Sequence, residues 1–437
     1  MNKRSIVILG SGFGGLVVAR ELGCARPGKD SCSVTVIDHS RFHVYTPLLY
    51  EVATGFIEHE NIGTSRLLRS GVTVANADLL ARWGADFVED DVEGIDWERR
   101  EIRLRQAKPV HFDILVVALG AEVNFFGIEG MTEHALTLKN VRDADRLRQR
   151  IHDCLHKKEK GLDAKMDVVI GGGGATGVEL AAELSMFLKR HMLKGHIKPE
   201  DFSISLVEAT PRLLGMLPKE LSAYAADRMR ALGVHLDLDT CVKKVERNKV
   251  VIAPRPLKPG ETSEQLVCDF RGESERVIEA DIVIWTGGIR GASVLEKLGL
   301  ALDSRGKRIE VGPTLEIPGK KDAFAIGDAA LAMDPATKQP VPWLAQAAMV
   351  HGKVVARTIM NRLQGGPDAT YDFRKYPVVV PLGGKCALAR IDNLVFRGWI
   401  GWLIKEFANL RYFLTILPPI AALGLWWHGA KMYSQND

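Results

Sequence analysis

Apolar residues in this chain come in short runs, and glycines mark where each run gives way to a mixed-polarity segment. The first run, "SIVIL" (Ser5 to Leu9), is rich in β-branched residues and reads as a strand; after Gly10 a helical pattern follows in "GLVVAREL". A second strand, "CSVTVIDHS", ends in Asp38, and "FDILVVALGAEVN" is a third that ends at Ala118-Leu119-Gly120. The same order returns later. "DVVI" leads through four glycines into "GVELAAELSMFL", and "FSISLVEA" ends in Glu208. "EADIVIWTGG" (Glu279 to Gly288) reads as a buried strand, and "DAFAIGDAAL" as a strand that ends in Gly327-Asp328. Strands alternating with helical patterns predict an α/β fold with parallel sheets.

The glycine spacing turns this pattern into chemistry. Gly10, Gly12 and Gly15 form G-x-G-x-x-G, with Ser11, Phe13 and Gly14 between them. Gly10 permits the tight turn, and Gly12 lets backbone amides reach a pyrophosphate. Gly15 lets helix and strand pack closely, and Asp38 offers a carboxylate to ribose hydroxyls. In the second copy Gly172, Gly174 and Gly177 fill the glycine positions, with Thr176 among them and Glu208 as the acid. An acid there favours NADH, because a 2′-phosphate would sit against a carboxylate. Arg212 lies close enough in sequence to leave NADPH open. Two such sites mean two dinucleotides and electron transfer between them. The N-terminal site is read as FAD, with Ala118, Gly120 and Asp328 completing it. Asp328 precedes a helix whose N-terminus is expected to face the ring. The second site is read as NAD, with Gly287 in its last strand.

Composition changes this picture little. The chain has 437 residues, long enough for two or three domains, with 46% hydrophobic and 26% charged residues and 42 glycines clustered at a few points. A net charge of +4 without an Arg/Lys stripe excludes nucleic acid as a partner. The six cysteines show no CxxC and no metal-like pairing with His, which predicts free thiols in a reducing compartment. "MNKRSIVILG" has too short an apolar run for a signal peptide and is expected to be the first strand of a cytoplasmic fold.

Two fingerprints, the Gly327-Asp328 segment, "HVYTPLLYEVATG" (His43 to Gly55) and "PWLAQAAMVHG" (Pro342 to Gly352) together resemble the type II NADH:quinone oxidoreductases. The resemblance covers almost the whole chain. It implies a single-subunit, FAD-containing, non-proton-pumping dehydrogenase of pyridine nucleotide-disulfide reductase-like fold. The expected domains are 1–164 and 285–375 for FAD, 165–284 for NAD(P)H, and 376–437 for a C-terminal membrane anchor. By the same resemblance Thr46, Pro47 and Leu48 line the flavin, and Val92 meets its adenine side through the backbone. Glu179 lies at the nicotinamide–flavin junction and is a candidate for proton transfer; the plainer reading is an acid favoured by a helix N-terminus. Gln346 and Ala347 fall in the quinone motif Ala-Gln-x-Ala-x-Gln. Its second Gln is Val350 here, followed by His351, which could stand in as a donor or be structural. The implied partners are a membrane quinone, ubiquinone or menaquinone, and the lipid surface on the cytoplasmic face of the inner (plasma) membrane. A homodimer stays open.

Missing motifs argue against neighbouring activities. "RFHVYTPLLYEVATG" holds no redox Cys pair, so electrons are expected to leave the flavin directly. No cysteine lies in "AIGDAAL" or "PWLAQAAMVHG", which makes a sulfide:quinone oxidoreductase the alternative reading. A slow membrane redox sensor is a third.

The tail from Tyr412 to Ala430 lacks Asp, Glu, Lys and Arg but is broken by Pro418-Pro419. A span, a surface anchor and a core or oligomer-contact helix all fit its length. The proline pair favours two short helices lying in one leaflet. Before it, a helix would place Trp399, Leu403, Glu406 and Leu410 on one broad side. Arg397, Lys405, Arg411 and Lys431 against Glu406 give a local positive excess suited to anionic lipid.

Overall fold

The run Ile6-Val7-Ile8 lies in the strand Arg4–Leu9, central in a five-stranded parallel sheet. Its neighbours are Ile114–Val117 and Cys32–Asp38, with Ala323–Ala325 and Asp86–Glu89 at the edges. The computed structural model describes residues 3–25, 32–56, 64–160, 165–255, 274–372 and 376–434. A parallel sheet is covered on both faces, which is why its strands read as unbroken apolar runs. Ile6 to Leu9 are wholly buried, each contributing roughly 1.5 to 3 kcal/mol of burial.

The chain forms two units. One contains Met1–Val44, Thr73–Glu122 and Ile289–Tyr376; the other contains Tyr45–Val72, Val123–Gly288 and Pro377–Asp437. The second unit repeats the sheet order of the first. Met166–Gly171 is central, between Ile282–Trp285 and Phe202–Val207, with Ala135–Thr137 and Val234–Asp237 outermost. Each unit adds a three-stranded antiparallel sheet: Val92–Asp96, Glu101–Leu104 and Val110–His111 in the first, Thr240–Glu246, Lys249–Pro254 and Arg276–Glu279 in the second. Each unit therefore has the α/β sheet that the sequence predicts.

The Gly327-Asp328 segment departs from expectation, because no α-helix follows it directly. Gly327 adopts φ +64°, the segment makes one 3-10 turn, Gly327–Ala329, and Ala330 returns to extended backbone. Ala330-Leu331 then pairs with Ile309-Glu310. The long helix comes later, at Ala345–Gln364.

In the tail, Trp399–Ile416 and Pro419–Tyr433 are the two expected helices. Leu417 is extended, as a residue before proline prefers, and Pro419 opens the second helix where no N–H is required. Among the described residues no helix is long and apolar enough to cross a membrane.

The charge of the first tail helix is placed differently from the sequence reading. Lys405, Glu406 and Asn409 are buried, while Trp399, Ile400, Leu403, Phe407 and Leu414 are exposed. Glu406 therefore does not share the fate of Trp399 and Leu403, and Lys405 is not part of a surface charge excess. Cys24, Cys32, Cys154 and Cys386 are outside any disulfide, but Cys241 is disulfide-bonded, against the expectation of free thiols throughout. Cys268 lies outside the described residues.

Candidate functional site

In the first unit the turn after Arg4–Leu9 admits only glycine at two points. Gly10 has φ +101°, and a Cβ there would lie 2.4 Å from the Ala118 carbonyl oxygen; one on Gly15 would lie 2.0 Å from the Gly10 carbonyl oxygen. Gly12 is the opposite case, exposed and with no atom within 4 Å of its Cβ position. It opens the helix Phe13–Ala25, which has no acid in its first turn. An open glycine at the start of a helix with no acid in its first turn fits a pyrophosphate.

Asp38 faces this turn. Its carboxylate accepts from the Ser11 N–H (2.6 Å), the Ser11 hydroxyl (2.8 Å) and the Ser40 N–H (2.8 Å). Two residues that the sequence reading missed hold the arrangement. Asn76 Nδ2 donates to Ser11 Oγ (2.7 Å) and to the Ser40 carbonyl (2.8 Å). His43 Nδ1 donates to the Ser11 carbonyl (3.0 Å), and its ring stands edge-on to Phe13. Burial lowers the His43 pKa to about 4, so the ring is neutral with its proton on Nδ1. No local motif marks Asn76, and His43 opens the His43 to Gly55 segment without being singled out by it.

The second half of the first site packs onto the first. A Cβ on Gly14 would lie 3.1 Å from the Ala348 carbonyl oxygen, and one on Gly352 2.7 Å from the Gly14 carbonyl oxygen. The helices Phe13–Ala25 and Ala345–Gln364 thus meet through small residues. Part of the presumed quinone motif is helix packing, and Ala347 is buried. Gly327 sits against Ala348, its N–H donates to His351 Nδ1 (3.2 Å), and Trp343 Nε1 donates to the Asp328 carbonyl (3.2 Å). His351 is 2% exposed with its ring edge-on to Tyr371. Burial lowers its pKa to about 4. His351 holds this turn through Nδ1, and its buried Nε2 has no hydrogen-bond partner among the described residues. Gln346, in the first turn of the same helix, has a buried amide oxygen with no hydrogen-bond partner among the described residues. Such an atom calls for an N–H or O–H from a bound molecule. Gly120 adopts φ +71°, and its carbonyl accepts the Ala292 N–H (3.3 Å). Val92 opens its strand, packed against the core and apart from these contacts.

The second unit repeats the first cradle. Gly172 has φ +109°, and a Cβ on Gly177 would lie 1.9 Å from the Gly172 carbonyl oxygen. Gly174 is exposed with nothing within 4 Å and caps the helix Ala175–Leu193; Thr176 beside it is exposed. The Glu208 carboxylate accepts from the Gly173 N–H (2.5 Å) and from the Thr210 N–H (2.8 Å) and hydroxyl (2.7 Å). Gly287 closes the other side, its Cα 2.6 Å from the Cβ position of Gly172. The Arg212 guanidinium donates to the carbonyls of Leu217 (2.9 Å) and Gly215 (2.8 Å), which commits it to its own loop.

A buried charge cluster lies beside this helix. Glu179 is past the first turn, so the helix N-terminus does not explain it. Thr46–Leu48 forms a 3-10 turn, with Thr46 and Pro47 exposed and Leu48 buried, and Leu49–Thr54 continues it. Lys405 Nζ donates to Glu51 Oε1 (2.9 Å) and lies 3.3 Å from Glu406. Trp426 Nε1 donates to Glu406 (3.1 Å), and the Tyr45 hydroxyl donates to Asn409 (2.9 Å). Burial favours the neutral amine of Lys405, but Glu51 and Glu406 reverse this and raise its pKa. Glu179 is only part-buried by area, yet dense surroundings desolvate its carboxyl. That desolvation outweighs Lys405 and raises its pKa to about 8, with Glu51 adding to the rise. At neutral pH Glu179 therefore holds a proton.

Residues 4–352 match the family model described as pyridine nucleotide-disulphide oxidoreductase. The type II NADH:quinone oxidoreductase Ndh of Mycobacterium tuberculosis is 30% identical, over 97% of this chain and 87% of its own length. The chain belongs to the type II NADH:quinone oxidoreductase family. Another member, from Staphylococcus saprophyticus, is 28% identical over 94% of this chain and 95% of its own. In structure, NDH2 from Plasmodium falciparum, solved in complex with NADH, superposes with a TM-score of 0.79 at 16% identity, over 98% of both chains. The sulfide:quinone oxidoreductase of Aquifex aeolicus reaches 0.74 at 19% identity, over 94% and 90%, and shares the fold. The two cradles are thus the family's architecture carried by this chain's own residues.

Proposed function

We propose that this chain is an FAD-dependent NADH:quinone oxidoreductase, held peripherally at a lipid surface and not pumping protons. The observation that carries the reading is the pair of matched cradles, one closed by Asp38 and the other by Glu208. Two dinucleotides on one chain call for electron transfer from one to the other, and the relatives' names supply NADH and a quinone as the ends of that path. When bound, FAD takes a hydride from NADH and passes two electrons to the quinone.

The residues bind, orient and protonate. Gly12 and Gly174 let backbone amides approach the two pyrophosphates, while Asp38 and Glu208 receive ribose hydroxyls. A 2′-phosphate would meet the Glu208 carboxylate, and Arg212, the guanidinium near it in sequence, is committed to its own loop. NADH is therefore the coenzyme. Reducing a quinone to a quinol consumes two protons. Glu179, protonated at neutral pH, supplies one in this reading. Gln346 offers its amide to the flavin edge or to the acceptor: the oxygen accepts from an N–H or a quinol hydroxyl, and the amide NH2 serves a quinone carbonyl. The exposed Trp399, Leu403, Phe407, Ile420, Leu423 and Trp427 give the tail helices a face suited to a bilayer interface, where a quinone is found.

A two-step stopped-flow experiment on detergent-solubilised protein tests this. NADH should bleach the flavin, and a water-soluble quinone should restore it at a comparable rate. Fast bleaching followed by slow restoration would rule out a quinone as the acceptor.

A further inference from the structure

Phe126 has an exposed ring on a strained backbone. The residue is 59% exposed, yet it adopts φ +51°, a left-handed conformation that bulky residues rarely occupy. Its loop is hydrogen-bonded into place. Asn124 Oδ1 accepts the Phe126 N–H (2.9 Å), the Asn124 N–H donates to the Gly288 carbonyl (3.0 Å), and Trp285 Nε1 donates to the Asn124 carbonyl (2.7 Å). The ring stands edge-on to Trp285, with centroids 6.4 Å apart, and covers Gly288, where a Cβ would lie 2.6 Å from it. Gly288 follows Gly287, the residue that touches the pyrophosphate turn at Gly172.

Strand order indicates which half of the coenzyme this ring meets. Phe202–Val207, ending at Glu208, flanks the central strand Met166–Gly171 on one side. Ile282–Trp285, leading to Gly287 and Gly288, flanks it on the other. Dinucleotides lie across the carboxyl ends of such strands. With the adenosine ribose on Glu208 and the pyrophosphate at Gly174, the nicotinamide half extends toward Gly287. We propose that Phe126 packs its exposed face against the nicotinamide ring of the coenzyme and is a positioning residue for it. The proposal rests on the reading of this site as the NADH site. An aromatic face there excludes water and offers a stacking surface without a hydrogen-bonding demand.

The test is calorimetric binding to the FAD-loaded full chain, with NAD+ as a non-reducing probe. ADP-ribose, which has the adenosine and pyrophosphate but lacks nicotinamide, is the control. Phe126→Ala should weaken NAD+ about tenfold, in the range that loss of ring stacking produces, and leave ADP-ribose unchanged. Phe126→Tyr should restore NAD+ binding. If the alanine variant does not fold, Phe126→Leu keeps apolar volume without the aromatic face and should show the same selective loss. Equal weakening of both ligands would reveal a merely structural residue and overturn the proposal, as would no weakening at all. Wild-type protein that binds neither ligand would sink the NADH reading itself.

Discussion

Lys405 Nζ lies 2.9 Å from Glu51 Oε1, a buried ion pair between residues 354 positions apart. It fastens the first tail helix to the helix Leu49–Thr54. Removing one partner of such a pair leaves an uncompensated buried charge, which typically costs about 3 to 5 kcal/mol. Lys405→Ala should therefore lower the stability of the FAD-loaded protein by about that amount in chemical denaturation. An unchanged midpoint would mean that the pair does not hold the helix in place.

The same cluster sets the protonation of Glu179. Its pKa is raised to about 8, chiefly by desolvation and partly by Glu51, with Lys405 opposing. If Glu179 supplies a proton to the acceptor, flavin reoxidation by a soluble quinone should slow as pH rises through about 8. Glu179→Gln should be slower and should lose that limb between pH 6 and 9.5. A variant that keeps the limb would assign it to another group.

How much of this was legible in sequence depends on the range of the contact. Gly10, Gly15, Gly172, Gly177, Asp38 and Glu208 were readable because a turn, a helix and the next strand fix their relation locally. Pro418-Pro419 were readable for the same reason, since a proline pair ends one helix and starts the next. Asn76 and His43 were not, because their partner Ser11 is 65 and 32 residues away. Glu406 was misplaced because helical spacing groups it with Trp399 and Leu403. Spacing does not reveal that Trp426 and Lys405 are there to hold its carboxylate. The small residues around Gln346 looked like one motif, but contact with Gly14 shows that Ala348 and Gly352 serve helix packing.

The two kinds of fingerprint glycine should fail differently. Gly15→Ala places a methyl 2.0 Å from a backbone oxygen, so helix and strand must separate. Gly12→Val puts its side chain into open space and leaves the chain able to fold. Circular dichroism and flavin absorbance per chain separate them. Gly12→Val should be folded and free of FAD, whereas Gly15→Ala should lose native structure. A Gly12→Val protein that retains FAD would remove the pyrophosphate from that turn.

Gln346→Ala tests the acceptor side. Its buried amide oxygen has no partner, so deleting it should cost little stability. Flavin reduction by NADH should stay near the wild-type rate, while reoxidation by quinone should slow, on the order of tenfold for one lost hydrogen bond of about 1.5 kcal/mol. Equal slowing of both half-reactions in stopped flow would refute its assignment to the acceptor step.

His43 and His351 make the fold acid-sensitive in a defined window. Each has its pKa lowered from 6.5 to about 4, and burial is the main cause. The unfolded chain takes up these protons near pH 6.5, whereas the folded chain resists them until about 4. Between those values the unfolded state binds more protons, so stability falls as pH falls, and the contribution is fully present only above 6.5. The gap corresponds to about 3 kcal/mol for each ring. Both rings also hold turns of the proposed flavin site, His43 at Ser11 and His351 at Gly327, so flavin release should accompany the loss. Denaturation midpoints of the FAD-loaded protein should drop between pH 6.5 and 4, with free flavin rising in parallel. His351→Gln should flatten part of that dependence. A midpoint flat across the window would mean that neither ring is kept neutral by the fold.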